Sequence, residues 1–316
     1  MSGPDGSSRP FRTQHAGRPR RLAVRRAGCR ACRMTLPPVP DTWLSELVAR
    51  ALSEDLGGRG DVTGLATIPA DASGRFDVRA RVAGVLAGAQ AARETFRLAG
   101  GDAIHVHWRL ADGATLKPGA VIARLEGPAR AILTAERTAL NFLGRMSGVA
   151  TLTRAYVDAI SGTDAVIAHT RKTTPGLRPL ELQAVFAGGG AMHRFGLDDA
   201  ILIKDNHVAL AGGVGEAVRR ARAFAGHMTR VAVEIDRLDQ LSEALGAGAE
   251  SLLLDNFSLS DLRAAVERAP AHVTLEASGG VTLETVRGIA ETGVDVISVG
   301  ALTHSAPNLD LGLDAV

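Results

Sequence analysis

The sequence predicts an α/β chain in two parts: a six-unit α/β barrel or doubly wound parallel sheet, preceded by a smaller α+β domain. Three observations carry this. After Pro128, short and continuously apolar runs alternate with amphipathic stretches, the pattern of parallel strands covered by helices. Between Gly74 and Gly127 the runs are short and alternating, with turn signals at Asp112-Gly113 and Pro118-Gly119. Finally, 316 residues at 46% hydrophobic and 3% aromatic content leave room for both parts, with a core of Ala, Val, Leu and Ile.

The first 34 residues stand apart. They hold nine of the 36 Lys+Arg and one of the 34 Asp+Glu, and both cysteines, Cys29 and Cys32. An Arg-rich, acid-poor leader matches a transit peptide; a disordered tail, or translation starting at Met34, is the plainer reading. The C-x-x-C spacing has no second ligand pair, so it marks no zinc site by itself. With no other cysteine there is no disulfide framework, which suits a reducing cytoplasm. The rest of the chain sets 27 Lys+Arg against 33 Asp+Glu. A mildly acidic body gives no general nucleic-acid footprint, and no apolar run reaches the roughly 18 residues of a membrane span.

Asp41–Leu56 has Leu44, Leu47, Val48, Ala51 and Leu52 at helical spacing and ends at the Gly57-Gly58 pair. Strands are expected at 76–80, 85–88, 105–108 and 121–125, with one helix at 89–99. His105 and His107 fall on one strand face, where surface histidines compete with a metal pair. A long helix covers 134–160, with a break expected near Gly148. Six strands follow, at 165–168, 200–203, 231–235, 251–254, 273–275 and 294–299, with helices at 215–224, 238–245, 259–269 and 283–291. No G-x-G-x-x-G follows the first strand, which counts against a dinucleotide fold. The α+β part takes residues 35–133 plus about 306–316, and the barrel takes 134–305.

Polar residues recur at one place in each unit. The strands run into His169-Thr170-Arg171-Lys172, Lys204-Asp205-Asn206-His207, Glu234-Ile235-Asp236, Asp255-Asn256, Glu276-Ala277-Ser278-Gly279-Gly280 and Ser298-Val299-Gly300. In a parallel barrel all these ends open on one face, where active sites are built. Arg171, Lys172, His193, Arg194 and Lys204 would converge there with Glu234 and Asp255. So many cations repel one another unless an anion is bound, which points to phosphates or several carboxylates. Two carboxylates from adjacent strands suit Mg²⁺ that keeps water and bridges to substrate phosphates. The glycines after the last strands offer backbone N–H groups to a phosphate.

Glu136-Arg137-Thr138-Ala139-Leu140-Asn141, Thr170 to Arg178 (TRKTTPGLR), Gly188-Gly189-Gly190-x-x-His193-Arg194, Ile203-Lys204-Asp205-Asn206-His207, Leu254-Asp255-Asn256 and Glu276 to Gly280 resemble, in order, the motifs of quinolinate phosphoribosyltransferase. So does Asp55-Leu56-x-x-x-Gly60-Asp61-Val62-Thr63, and the likeness runs from about Leu44 to the C-terminus. The resemblance implies an incomplete, open α/β barrel with a smaller N-terminal α+β sandwich domain. It implies Mg²⁺-dependent transfer of phosphoribosyl from 5-phosphoribosyl-1-pyrophosphate to quinolinate, with loss of pyrophosphate and CO₂, giving nicotinate mononucleotide.

Roles follow by motif. Arg137, Arg171, His193 and Arg194 would hold quinolinate carboxylates, Thr170 lies beside them, and Lys172 and Lys204 would contact carboxylate or phosphate oxygens. Glu234 and Asp255 would face the ribose and the Mg-pyrophosphate. Ser278, Gly279, Gly280, Val299, Gly300 and Ala301 would cradle the 5-phosphate. Lys172, Glu234 and Asp255 are the expected catalytic groups. The resemblance also implies a homodimer, with Arg137 contributed by the neighbouring subunit. Three positions depart from the family pattern: Leu182 where a lysine is usual, Phe186 where a basic residue is common, and Met192 where a small polar one is usual. They motivate the alternative of a catalytically altered paralogue that binds phosphoribosyl or other anionic ligands.

Overall fold

The computed structural model describes residues 37–316, so the basic leader with Cys29, Cys32 and Met34 lies outside the described residues. Helix α1 (Asp41–Leu56) has the predicted bounds and buries Leu44, Val48 and Leu52, one face at i, i+4 spacing. A short helix not foreseen, α2 (Val62–Thr67), is capped by Asp61, whose carboxylate accepts from the Gly64 N–H at 2.9 Å. Next come β1 (Ser73–Ala80), β2 (Gly84–Val85), α3 (Ala89–Gly100), β3 (His105–Trp108), β4 (Thr115–Leu116) and β5 (Val121–Pro128). His105 and His107 are exposed on β3. Among the described residues no group of three or more His, Cys, Asp or Glu is placed to hold a metal, so the pair has no third ligand.

Helix α4 (Ala129–Ala159) is longer than expected and unbroken. Gly148 does not end it. A Cβ there would land on the Pro307 carbonyl oxygen, so the glycine serves close approach of the returning C-terminal segment rather than a kink. The barrel elements are β6 (Val166–Ala168), α5 (Arg178–Ala187), β7 (Ile201–Ile203), α6 (Asp205–Ala211), α7 (Val214–Phe224), β8 (Val231–Ile235), α8 (Gln240–Gly246), β9 (Ser251–Asp255), α9 (Leu259–Arg268), β10 (Thr274–Ser278), α10 (Val286–Ala290), β11 (Val296–Ser298) and α11 (Ala301–His304). β12 (Leu311–Ala315) closes the chain. The fifth barrel strand therefore runs three residues past the predicted end at Leu275, and the helix expected at 283–291 is shorter at both ends.

All six barrel strands are parallel, in the order β6-β11-β10-β9-β8-β7. The last strand pairs with the first, so the sheet curls round, and only the β6–β7 seam lacks pairing. That is an open barrel, as the resemblance implied, rather than a flat doubly wound sheet. The segment after α5 lies along the seam, where Ala191 bridges to Ala168. β12 pairs antiparallel with β1 in a four-stranded sheet ordered β12-β1-β5-β3, returning the C-terminus to the small domain.

Strand parity decides what faces where. Val233, Ile235, Leu252, Leu254, Leu275, Ala277 and Ile297 join the cluster between sheet and helices. The alternate residues point into the barrel. α1 packs on α3 and α4, and its buried face belongs to this larger cluster although its sequence precedes the small domain. The small domain has its own cluster around Phe96, Ile122 and Leu125, into which the first half of α4 feeds Ile132, Ala135 and Ala139. α4 is thus shared, one half to each core.

Candidate active site

Fourteen of the fifteen sequence-predicted site residues line one cleft of about 650 Å³ at the C-terminal ends of the barrel strands. Thr170, Arg171 and Lys172 leave β6. His193 and Arg194 come from the segment along the open seam, Lys204 follows β7, Glu234 is on β8, and Asp255 ends β9. Ser278, Gly279 and Gly280 follow β10, and Val299, Gly300 and Ala301 follow β11. Arg137 is the exception. It is exposed on α4 and is not part of the cleft of its own chain.

The cationic side is held by a few fixed contacts. The Lys172 N–H donates to Thr170 Oγ1 at 3.1 Å, and the Lys172 carbonyl accepts from Thr303 Oγ1 at 2.8 Å. Arg194 donates to the Ala200 carbonyl at 3.3 Å. Burial, and then the nearby Arg171 guanidinium, weaken the Arg194 hold on its proton. His169 is fully buried; its Nε2 accepts from the His193 main-chain N–H at 2.9 Å, and its Nδ1 lies 3.2 Å from the Thr170 carbonyl. A ring that accepts at one nitrogen and donates from the other is neutral, and burial pushes His169 down to about 4.

The anionic side is nearby. Lys204 Nζ donates to Glu234 Oε2 at 2.5 Å, and Asp255 Oδ2 accepts from Asn256 Nδ2 at 2.9 Å. Asn256 adopts φ 55°, and Gly279, at φ 86°, passes so close that a Cβ would strike the Asn256 amide. A glycine is needed there on both counts.

Beneath the 170–174 loop lies a buried network that the sequence reading missed. Arg145, from α4, donates to Glu181 Oε1 at 2.8 Å, to the Ala306 carbonyl at 2.9 Å and to the Thr303 carbonyl. Glu181, wholly buried, also accepts from Thr174 N at 3.0 Å and Thr174 Oγ1 at 2.7 Å. The only sequence signal is a lone arginine within an otherwise small and apolar stretch of α4. Glu276 and Ser298 also line the cleft and had no assigned role. Parity could have found them, since Glu276 lies two residues before Ser278 and Ser298 two before Gly300. The departures Leu182, Phe186 and Met192 are absent from the cleft lining; Leu182 is buried in α5 and Met192 faces solvent.

Among the described residues six buried side-chain atoms lack a hydrogen-bond partner, and five belong to this cleft: Arg171 Nε, Arg194 Nε, His193 Nδ1, Glu276 Oε1 and Ser298 Oγ. Buried polar atoms are nearly always paired. Orphans concentrated in one cationic cleft define an α/β-barrel protein that takes polyanionic ligands at the open mouth of its barrel. The chain belongs to the quinolinate phosphoribosyltransferase family: residues 61–147 match the family's "Quinolinate phosphoribosyl transferase, N-terminal domain" and residues 149–314 its C-terminal domain. It is 47% identical over 274 residues to the nicotinate-nucleotide pyrophosphorylase [carboxylating] of Mycobacterium leprae, covering 85% of this chain and 96% of the relative. The corresponding probable enzyme of Bacillus subtilis is 44% identical over 271 residues, covering 86% and 93%. The solved nicotinate-nucleotide pyrophosphorylase of Francisella tularensis superposes with a TM-score of 0.84 at 39% identity, covering 88% of this chain and 98% of that one.

Proposed function

We propose that the protein transfers phosphoribosyl from 5-phosphoribosyl-1-pyrophosphate to quinolinate and decarboxylates the adduct, yielding nicotinate mononucleotide, pyrophosphate and CO₂. The observation that carries this is the pair of orphaned donors Arg171 Nε and Arg194 Nε beside the unpartnered His193 ring nitrogen, a set that complements an acceptor with two carboxylates. Arg171, His193 and Arg194 bind those carboxylates. Lys172 bridges the acceptor and the donor phosphates. Glu234 and Asp255 face the ribose and stabilise positive charge as the bond to pyrophosphate breaks. The pyridine nitrogen then attacks the anomeric carbon. The quaternary, cationic ring nitrogen then stabilises the carbanion left when the neighbouring carboxylate departs as CO₂, and a proton from water completes the new C–H bond. Backbone N–H groups of the 278–280 and 299–301 loops hold the 5-phosphate.

Glu234 and Asp255 also suit Mg²⁺. Each is already partly engaged, by Lys204 and Asn256, and no third ligating side chain joins them among the described residues. This donor set fits a cation coordinated mainly by water and pyrophosphate oxygens. When bound, it would neutralise the leaving group.

The acting form is a homodimer in which the partner subunit's α4 supplies its arginine. The exposure of Arg137, outside its own cleft, supports this. Mixing Arg137→Ala with Glu234→Ala protein tests it: random mixed dimers would regain about a quarter of wild-type activity, because one of two sites in half the dimers is intact. No recovery would place Arg137 outside the shared site.

The compartment we assign is the cytoplasm, supported by a chain with two cysteines and no disulfide framework. No helix among the described residues is long and apolar enough to cross a membrane. The deciding experiment incubates purified protein with quinolinate, the phosphoribosyl donor and Mg²⁺. Nicotinate mononucleotide and CO₂ are expected. Donor binding without product on any pyridine carboxylate would instead identify a catalytically altered paralogue.

A further inference from the structure

The cleft contains one carboxylate that the proposed chemistry leaves unused. Glu276 points inward from β10, is only 7% exposed, and sets Oε1 3.3 Å from His193 Nε2. That contact falls outside hydrogen-bonding geometry, so Oε1 is otherwise unpartnered. His193 Nδ1, the other ring nitrogen, is buried without a partner too. The backbone of the same residue is fixed by donation to His169, a neutral imidazole packed edge-on at 6.2 Å between ring centroids. His193 is therefore anchored at its main chain by His169, while its ring faces the unpartnered Glu276 carboxylate.

The hydrogens follow from what each partner can do. A carboxylate only accepts, so the His193 nitrogen facing Glu276 carries the hydrogen. In a neutral ring, Nδ1 then has a lone pair and cannot donate. The neutral form, which adds no further positive charge, suits a free cleft. The cations Arg171, Lys172 and Arg194 surround it, and Lys204 is already tied to Glu234. Besides Glu276, the anions of the cleft are Glu234 and Asp255; His304 also lines it, beside Gly300, and His169, behind His193, is uncharged. An arriving carboxylate reverses the preference. It requires a donor at Nδ1, and its charge favours the imidazolium.

We infer that His193 and Glu276 form a proton-coupled latch for the acceptor: a pyridine dicarboxylate binds with uptake of one proton at His193 Nδ1, while Glu276 accepts from Nε2, orients the ring and balances its charge. Glu276 is thus a positioning residue, acting through His193. The inference rests on the acceptor assignment made above. It predicts that acceptor binding weakens as pH rises, by up to about tenfold per pH unit once the complex must draw its proton from solution.

Calorimetry of the whole protein with quinolinate at pH 8, in buffers of different ionisation enthalpy, reads the proton directly. Wild type should take up close to one proton, and Glu276→Gln and His193→Asn close to none. In Glu276→Gln the KM for quinolinate at pH 8 should rise about tenfold or more, the alkaline limb of kcat/KM should move to lower pH, and the KM for the phosphoribosyl donor should change less than twofold. Quinolinate binding without buffer-dependent heat, or a pH profile unchanged in Glu276→Gln, overturns the latch and leaves the acceptor assignment standing. No quinolinate heat together with no turnover removes the acceptor assignment itself.

Discussion

The two ends of the barrel hold cavities of nearly equal size and opposite character. The mouth offers about 650 Å³, and a groove at the N-terminal ends of β8, β9 and β10 offers about 610 Å³. Both are rich in cations: the lower groove is lined by Arg222, Arg230, His227 and His272 against Glu250. There, however, the arginines have protein partners. Arg222 donates to the Gly248 carbonyl and approaches Glu250 at 3.7 Å, while Arg230 donates to Thr274 Oγ1 at 2.6 Å. None of the buried unpartnered atoms found among the described residues lies at that end. Space and positive charge do not by themselves make a ligand site. Polar groups desolvated by the fold and left without partners do, because their desolvation is compensated only when a ligand arrives.

The strongest challenge to this contrast is at the mouth. Glu234→Ala or Asp255→Ala should lower turnover by roughly a hundredfold or more, the scale for removing a preorganised charge at a reacting centre; steady-state product formation measures it. A loss of a few-fold would mean the carboxylates are bystanders. Next is the hidden support of the 170–174 loop. Arg145→Leu or Glu181→Leu alone should destabilise the fold by about 3–5 kcal/mol, since each leaves a buried charge unpaired. The double replacement should recover most of the thermal midpoint, yet not kcat/KM, because Thr174 and the carbonyls of Thr303 and Ala306 stay unanchored. Joint recovery of both would reduce the pair to a structural filler.

A smaller effect concerns His169. Its ring titrates near 4 when folded, against about 6.5 when unfolded. Between those values the unfolded chain binds a proton that the folded protein refuses, so stability is present above pH 6.5 and is lost as pH falls toward 4. The total is about 3 kcal/mol. His169→Gln should flatten the acid side of the thermal-midpoint profile by up to this amount, and an unchanged slope would assign the acid sensitivity elsewhere. The smallest effect is expected at the other end of the barrel. Arg222→Ala and Arg230→Ala should leave kcat/KM within about twofold, the behaviour of surface changes away from a site. A large loss there would erase the distinction between the two ends.

Much of this was legible from local chemistry. A strand alternates its faces every two residues, so polar groups clustered at successive strand ends had to meet at one mouth, and Lys204, Glu234 and Asp255 could be placed without coordinates. Glu276 and Ser298 stand in the same strand-end runs and obey the same parity, but residue type alone gives them no role there. Other features depend on pairs distant in the chain. Arg145 meets partners 36, 158 and 161 positions away, and Gly148 is explained only by Pro307 lying against it. The Asp61 motif, quoted only for the family likeness, caps α2 and accepts from Thr134 on α4 at 3.3 Å.

The sequence alone therefore determined the layering, the parallel strands and the charge of the mouth, because periodicity and residue type act over a few positions. Tertiary structure decided that the sheet closes on itself except at the β6–β7 seam, which cations of the mouth are left without partners, and that Arg137 stands outside its own cleft. Those outcomes depend on what each side chain meets after the chain has folded back, and no local pattern encodes that meeting.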